Sequence, residues 1–288
     1  MSIESLSKDK LDFIEKEIID ILQGEVKEII DKTRQNMVVV EEKSDGDSAT
    51  IADIKIGEIF EEKLPKLLSG SVVIQEESFN EEIFKTAFNN RYIWILDPID
   101  GTKAFRDTLN FEWCVGVCLL DNLSPVLSLV YIPEKWLGSP YLLSANMFRE
   151  KVFNFGKPFN FKVENKGDYK YVSHIHKDFE RNEFETKIAN MFKNNEIIRA
   201  HAGHSTLAQF CEVAVNRNKI FSRRSANIWD IVQSSYLIEK SGGAVYYENG
   251  ESIFPLKKEL LTYENKHLLM PFTIASAKEL KDMIINKI

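Results

Sequence analysis

Acidic residues stand in three short clusters that could together hold divalent cations. Each cluster follows a short apolar run or precedes a helical pattern, and the clusters are Glu76-Glu77, Asp97 with Asp100, and Asp230. Carboxylates gathered without a positive partner raise each other's pKa values, so such a gathering is unfavourable by itself. Two Mg²⁺ ions would remove the conflict, since Mg²⁺ prefers carboxylate oxygens, water and phosphate. The three clusters therefore predict a metal site.

The segment DPIDGT, which starts at Asp97, is informative by itself. Pro98 is expected to end the preceding strand and fix a turn, which lets the two aspartates converge and leaves the Ile99 carbonyl as a further ligand. Gly101 allows a close approach of the backbone to a ligand, and a helix beginning at Thr102 would turn its amides toward a phosphate. One Asp-x-x-Asp alone usually marks a solvated turn, whereas three clusters together favour metal binding.

Composition predicts a globular protein without a nucleic-acid polymer or a membrane as partner. The chain has 288 residues, of which 44% are hydrophobic and 28% charged, and its formal net charge is −7. A negative surface repels phosphate backbones and anionic membranes. Only 3 cysteines occur, and neither a signal core nor a membrane-spanning apolar run is visible, so we expect a cytoplasmic protein.

The patterns of apolar residues predict an α+β first half and an α/β second half. Helices are expected over 11–29 and from about residue 53, the second ending at Pro65 or at Ser69-Gly70. Strands are expected over 71–75, 92–96, 113–120 and 125–133. Strand and helix patterns then alternate from about residue 170. We place the boundary near residue 148, with most metal ligands in 1–148 and Asp230 with the substrate-side pocket in 149–288.

The same motifs resemble the inositol monophosphatase superfamily, whose members are Mg²⁺-dependent, lithium-sensitive phosphatases. The resemblance rests on TIAD at 50–53, EES at 76–78, DPIDGT, and IWD at 228–230 followed by SGG at 241–243. These motifs stand in the family's order, which is more specific than any one of them. The resemblance implies a layered α/β/α/β/α sugar-phosphatase fold with the active site between its halves.

The resemblance also implies a role for each matching residue. Two or three Mg²⁺ ions would be held by Glu76, Asp97, the Ile99 carbonyl, Asp100 and Asp230. The catalytic residues would be Asp53, Glu76 and Thr102, with a metal-bound water attacking the phosphate directly. Substrate would be bound by Gly101, Thr102, Lys103, Ser173, His174, Thr206 and Gln209.

Details favour the 3′(2′),5′-bisphosphate nucleotidase branch of the superfamily. Lys103 in DGTKAF, the motif NIWD and the Ser173-His174 pair are similar to that branch. The implied reaction is removal of the 3′-phosphate from adenosine 3′,5′-bisphosphate. The chain departs from the pattern at three places. Asp47-Ser48-Ala49 replaces Ser-Pro-Val, Gln75 stands where a glycine often precedes the two glutamates, and Gln209 stands where a lysine would contact the second phosphate.

Several alternatives stay open. The cation replacing the missing lysine could be Arg223, Arg224, Lys177 or His204. An inositol or sugar monophosphatase would use the same metal site with another pocket, and a non-catalytic regulator would bind a nucleotide without turnover. The histidines His174, His176, His201 and His204 match no zinc-site spacing. A homodimer is common among the proteins that the chain resembles.

Overall fold

The computed structural model describes most of the chain. The described residues are 6–35, 39–42, 48–107, 112–136, 139–159, 169–175, 180–199, 205–215, 218–264 and 267–287. The candidate residues His176, Lys177, His201 and His204 lie outside these ranges. Within them, no helix has the length and apolar character that a membrane crossing requires.

The helices are short to medium in length. They are α1 (Lys8–Ile21), α2 (Lys27–Gln35), α3 (Ile51–Leu67), α4 (Glu81–Ala87), α5 (Thr102–Arg106), α6 (Glu183–Met191), α7 (Thr206–Val215), α8 (Val232–Lys240) and α9 (Lys278–Lys287). A π-helical segment, Leu22–Val26, joins α1 to α2, and 3₁₀ turns occur at Ile228–Asp230 and Lys258–Leu260.

Most strands belong to two large sheets. A seven-stranded sheet contains, in spatial order, β3 (Val72–Gln75), β4 (Tyr92–Asp100), β5 (Cys114–Asp121), β6 (Ser124–Trp136), β7 (Ser139–Asn146), β8 (Phe153–Asn154) and β9 (Lys157–Pro158). A five-stranded sheet has the order β11 (Asn194–Arg199), β10 (Lys170–Ile175), β12 (Lys219–Arg223), β16 (Thr273–Ala277) and β13 (Gly243–Tyr247). Two small pairs are β1 (Val39–Glu42) with β2 (Ser48–Thr50), and β14 (Thr262–Glu264) with β15 (His267–Leu269).

These elements are arranged in layers, and three hydrophobic cores lie between them. Trp94 and Leu96 of β4 point toward α1, α2 and α3, whereas Ile93 and Ile95 point to the other face, where α7 and α8 pack. This alternation is the period of two that a strand buried on both faces requires. The α7–α8 layer also contacts the five-stranded sheet, whose far face is covered by α6 and α9. The arrangement is the α/β/α/β/α layering expected from the sequence.

The division of the chain into two halves stays a prediction. The seven-stranded sheet continues past residue 148, because β8 pairs with β7, the last long strand, and β9 pairs with β8. One core also contains residues from both large sheets and from the helices between them.

Two local expectations about proline need correction. Pro65 does not end the second helix, since α3 continues through it to Leu67. Pro98 does not end its strand either: β4 runs to Asp100, with a register irregularity between Asp97 and Asp100. At a bulge the regular hydrogen bonding between strands is interrupted. Proline, which has no N–H to donate, is therefore tolerated there.

Candidate active site

Three carboxylates converge at the end of β3 and β4. The strands pair in parallel with Gln75 opposite Leu96, so Glu76 and Asp97 emerge side by side. Asp230 reaches them from the 3₁₀ turn ahead of α8. One carboxylate oxygen of each residue lies within 4.8 Å of the other two. This spacing suits a shared cation, which oxygen ligands would surround at slightly more than 2 Å.

Asp97 is the residue of this cluster that most needs a positively charged partner. Its side chain is fully buried, and neither carboxylate oxygen has a hydrogen-bond partner among the described residues. Burial raises the pKa of Asp97 well above its ordinary value, and the neighbouring Glu76, Asp100, Asp230 and Asp53 raise it further. A buried carboxylate without donors is unfavourable unless something positive satisfies it. The donor set therefore fits a divalent cation.

Asp53 lies beside this cluster at the start of α3. It forms a capping box, in which Oδ2 accepts bonds from the Thr50 amide at 2.7 Å and the Thr50 hydroxyl at 2.5 Å. Burial raises the pKa of Asp53 to about 7; the Glu77 charge adds to this, and hydrogen bonds from Thr50 and Thr102 oppose it. A carboxyl group that titrates near neutrality suits proton transfer at physiological pH.

Thr102 connects Asp53 to DPIDGT. Its hydroxyl oxygen lies 3.0 Å from Asp53 Oδ1 and 3.0 Å from the Ile99 carbonyl oxygen, and its single proton can be donated to either acceptor. A hydroxyl carries one proton and two lone pairs, so the Thr102 oxygen can still accept a bond from a third group. The structure thus brings Asp53, Ile99 and Thr102 together, and the roles that the family resemblance implies for them stay predictions.

Asp100 joins the site to α7. Its Oδ2 accepts a hydrogen bond from the Ser205 hydroxyl at 2.6 Å and another from the Leu207 amide. Ser205 also accepts a bond from the Ala208 amide at 2.8 Å, which caps the first turn of the helix. This role of Ser205 was not predicted from the sequence, although a serine directly before an apolar helical run is an N-cap signal. Metal binding by Asp100 stays a prediction.

Gly101 occupies a position that only glycine suits. Its φ of 86° is left-handed, and an added Cβ would lie 2.8 Å from the Glu112 carbonyl oxygen. Gly70 shares a positive φ, yet nothing lies within 4 Å of its Cβ position. Gly70 is therefore a matched control for the cost of the backbone conformation alone.

Gly101→Ala is expected to lower the free energy of unfolding by about 2–4 kcal/mol, since it adds a backbone clash to the left-handed strain. Gly70→Ala should lower it by only about 1–2 kcal/mol, the cost of the conformation. Urea unfolding followed by circular dichroism measures both. Equal losses in the two variants would show that the contact with Glu112 contributes nothing.

The side chains of the predicted substrate-binding residues do not all point in the same direction. His174 Nδ1 lies 3.4 Å from the Thr206 hydroxyl, which places both at the α7 layer. Ser173, its neighbour on β10, points to the opposite face and accepts a hydrogen bond from Arg181 Nε at 2.8 Å. Gln209 is buried, with Nε2 3.5 Å from Glu112 Oε2. Lys103 is partly exposed on α5. Substrate contact by each of these residues stays a prediction.

Comparisons with known proteins identify the family. The sequence model of the inositol monophosphatase family matches residues 10–286. A 3′(2′),5′-bisphosphate nucleotidase of Buchnera aphidicola is 27% identical over 225 residues, which are 76% of this chain and 78% of that protein. A class 1 fructose-1,6-bisphosphatase of Helicobacter pylori is 25% identical over 268 residues, or 87% of this chain and 88% of that protein.

Solved structures agree on the fold. A staphylococcal inositol monophosphatase matches with a TM-score of 0.74 at 19% identity, covering 98% of this chain and 96% of that one. An inositol monophosphatase/NADP phosphatase, in complex with NADP and Ca²⁺, matches with a TM-score of 0.73 at 20% identity, covering 98% and 97%. The predicted resemblance and fold class are confirmed. The chain belongs to the inositol monophosphatase family and is a phosphoric monoester hydrolase.

Proposed function

We propose that the protein hydrolyses the 3′-phosphate of adenosine 3′,5′-bisphosphate in a Mg²⁺-dependent reaction. The observation that carries the metal dependence is Asp97, whose two buried oxygens have no donor among the described residues while Glu76 and Asp230 lie close by. Two matched structures hold divalent ions, one with Mg²⁺ and phosphate and one with NADP and Ca²⁺. Several matched relatives are named 3′(2′),5′-bisphosphate nucleotidases.

The residues that would hold Mg²⁺ are Glu76, Asp97 and Asp230, joined by Asp100 and the Ile99 carbonyl as the family resemblance implies. When bound, Mg²⁺ supplies positive charge for the phosphate oxygens and lowers the pKa of a water. We propose that two or three Mg²⁺ ions bind at these residues.

Asp53 and Thr102 would orient the attacking water. When Thr102 donates its one proton to Asp53 Oδ1, the lone pairs of Thr102 Oγ1 are left to accept a bond from water. Asp53, whose Oδ1 lies 3.0 Å from the Thr102 hydroxyl oxygen, can accept a proton passed through this pair. The amides of Gly101 and Thr102, at the start of α5, would donate to the phosphate.

A second phosphate on the substrate needs a cation, and Arg223 is the best placed of the candidates that the structure describes. Its Nε lies buried at the end of β12, and the part of the chain that the structure describes offers it no hydrogen-bond partner. Burial lowers its pKa, and the charges of Asp230 and Asp100 oppose that shift, so the guanidinium faces the carboxylate cluster. Arg224, in contrast, forms an ion pair with the buried Glu185.

Arg223→Met is expected to lower kcat/KM for adenosine 3′,5′-bisphosphate about 10-fold to 100-fold, the value of a charge-assisted hydrogen bond. The value for inositol 1-phosphate, which has no second phosphate, should change much less. Steady-state phosphate release on both substrates measures the difference. Parallel losses on the two substrates would assign Arg223 to the structure of the site and not to the second phosphate.

Phosphate release with Mg²⁺ tests the substrate directly. We expect higher kcat/KM for adenosine 3′,5′-bisphosphate than for inositol 1-phosphate or fructose 1,6-bisphosphate, and inhibition by lithium. Preference for inositol 1-phosphate or the sugar ester would instead support the second candidate, an inositol or sugar monophosphatase. Gln209 favours that candidate, because it supplies no cation where the nucleotidase branch has lysine. Metal binding without release of phosphate from any substrate would point to a regulator.

We propose that the protein acts in the cytoplasm. Its three cysteines form no disulfide and are buried, as suits a reducing compartment. A homodimer is proposed from the family alone, and light scattering would test it.

A further inference from the structure

The side chain of Gln75 in strand β3 packs directly against Gly57 of helix α3. Gly57, buried in α3, faces the side chain of Gln75, which is 4% exposed. A Cβ added at Gly57 would lie 2.5 Å from Gln75 Oε1, 2.9 Å from Nε2 and 3.1 Å from Cδ. Non-bonded carbon atoms do not sit at such distances, so any larger residue at 57 must displace either the amide or the helix.

Both residues of this contact lie close in sequence to residues of the proposed active site. Asp53 is four residues before Gly57, so the two occupy one face of α3. Gln75 directly precedes Glu76, and its pairing partner Leu96 directly precedes Asp97. The Gly57–Gln75 contact therefore joins the element that carries Asp53 to the two strand ends that carry Glu76 and Asp97.

Helix propensity gives no reason for glycine at this position. In a helix interior glycine is about 1 kcal/mol less favourable than alanine, so a glycine in the middle of α3 is unfavourable unless packing requires it. The buried amide of Gln75 supplies that requirement. The Oε1 atom of that amide is buried, and no hydrogen-bond partner for it is found among the described residues.

We propose that Gly57 and Gln75 are positioning residues for the metal centre. Glycine at 57 lets α3 lie close enough to β3 for Asp53 to stand beside Glu76 and Asp97, and the Gln75 amide sets that distance. The inference rests on the proposed metal dependence and is independent of which phosphate ester is the substrate.

The test is a double-mutant cycle read by metal binding, with Mn²⁺ as the probe. Gly57→Ala is expected to weaken Mn²⁺ binding, measured by calorimetry, about 10-fold to 100-fold, as changes around metal ligands commonly do. Gln75→Ala removes all three atoms that the new methyl group would meet. The variant carrying both changes should therefore bind Mn²⁺ about as tightly as Gln75→Ala alone.

Gly24→Ala is the matched control, since this glycine also lies in a helical segment but has nothing within 4 Å of its Cβ position. It should leave Mn²⁺ affinity unchanged. Normal binding by Gly57→Ala would overturn the proposal, and so would equal weakening in the single and double variants. If Gly57→Ala does not fold, the double variant tests the proposal instead. The proposal then requires that the double variant folds and binds Mn²⁺ as tightly as Gln75→Ala does. Absence of Mn²⁺ binding by the unmodified protein would contradict the metal dependence itself and this inference with it.

Discussion

Replacing Asp97 by asparagine is expected to abolish activity and, at the same time, to stabilise the metal-free protein. Phosphate release should fall about a thousandfold or more, because a bound metal contributes several kcal/mol of charge stabilisation that the amide cannot support. The thermal midpoint without metal should rise. Activity and stability therefore change in opposite directions, which loss of folding alone could not produce.

The stabilisation follows from the charges around Asp97. Burial and the carboxylates of Glu76, Asp100 and Asp230 make a negative charge there unfavourable. An amide has nearly the same shape and no charge, so it removes this repulsion. The gain should be about 1–3 kcal/mol, the usual range for relieving an uncompensated buried polar group.

Differential scanning calorimetry with and without Mg²⁺ measures both parts of this prediction. Mg²⁺ should raise the midpoint of the unmodified protein and leave that of Asp97→Asn nearly unchanged, because only the former binds it. Asp20→Asn serves as control, since Asp20 is exposed and pairs only with Lys16 on the surface among the contacts described. A stable Asp97→Asn variant with ordinary activity would refute the role of Asp97 as a metal ligand.

The second large effect concerns pH: the metal-free protein should lose stability as pH rises from about 4 to about 7. Burial raises the pKa of Asp53 from 3.8 to about 7, so between these values the folded protein holds a proton that the unfolded chain has released. Stability then decreases with rising pH, because the folded state binds more protons. The raised pKa of Asp97 acts in the same direction.

The size of the effect follows from the shift. A difference of about three pKa units corresponds to about 4 kcal/mol between acid and neutral pH, as an upper value for Asp53 alone. Exposed glutamates such as Glu28 and Glu62, whose pKa values are lowered by lysine partners, act oppositely and only near their own ordinary values. Surface pairs of this kind contribute little.

Urea unfolding in the presence of a chelator, at intervals from pH 4.5 to pH 8, measures this dependence. Asp53→Asn should flatten it, and saturating Mg²⁺ should remove most of it by compensating the charges. A metal-free protein whose stability is flat or rises over that interval would contradict the burial of uncompensated carboxylates.

Much of the candidate site could be predicted because its signals are local. A strand followed by an acidic residue places a carboxylate at the end of a sheet, and parallel pairing then brings neighbouring strand ends together. Glu76 and Asp97 follow that rule through the pairing of β3 with β4. Thr50 and Asp53 likewise form the capping box that their spacing allows.

The remaining features depend on tertiary context. Pro98 ordinarily ends a strand, yet here a bulge carries β4 past it. The face on which Ser173 lies is set by the position of β10 in the five-stranded sheet, and sequence alone does not fix that position. The contact between Gly57 and Gln75 joins residues from two elements, and neither residue carries a signal of its partner.

The most direct test of the central claim is phosphate release from adenosine 3′,5′-bisphosphate by chelator-treated protein, before and after Mg²⁺ is restored. We expect no release without metal, recovery with Mg²⁺, and no recovery in Asp97→Asn. Undiminished release in the presence of the chelator would contradict a metal centre formed by Glu76, Asp97 and Asp230.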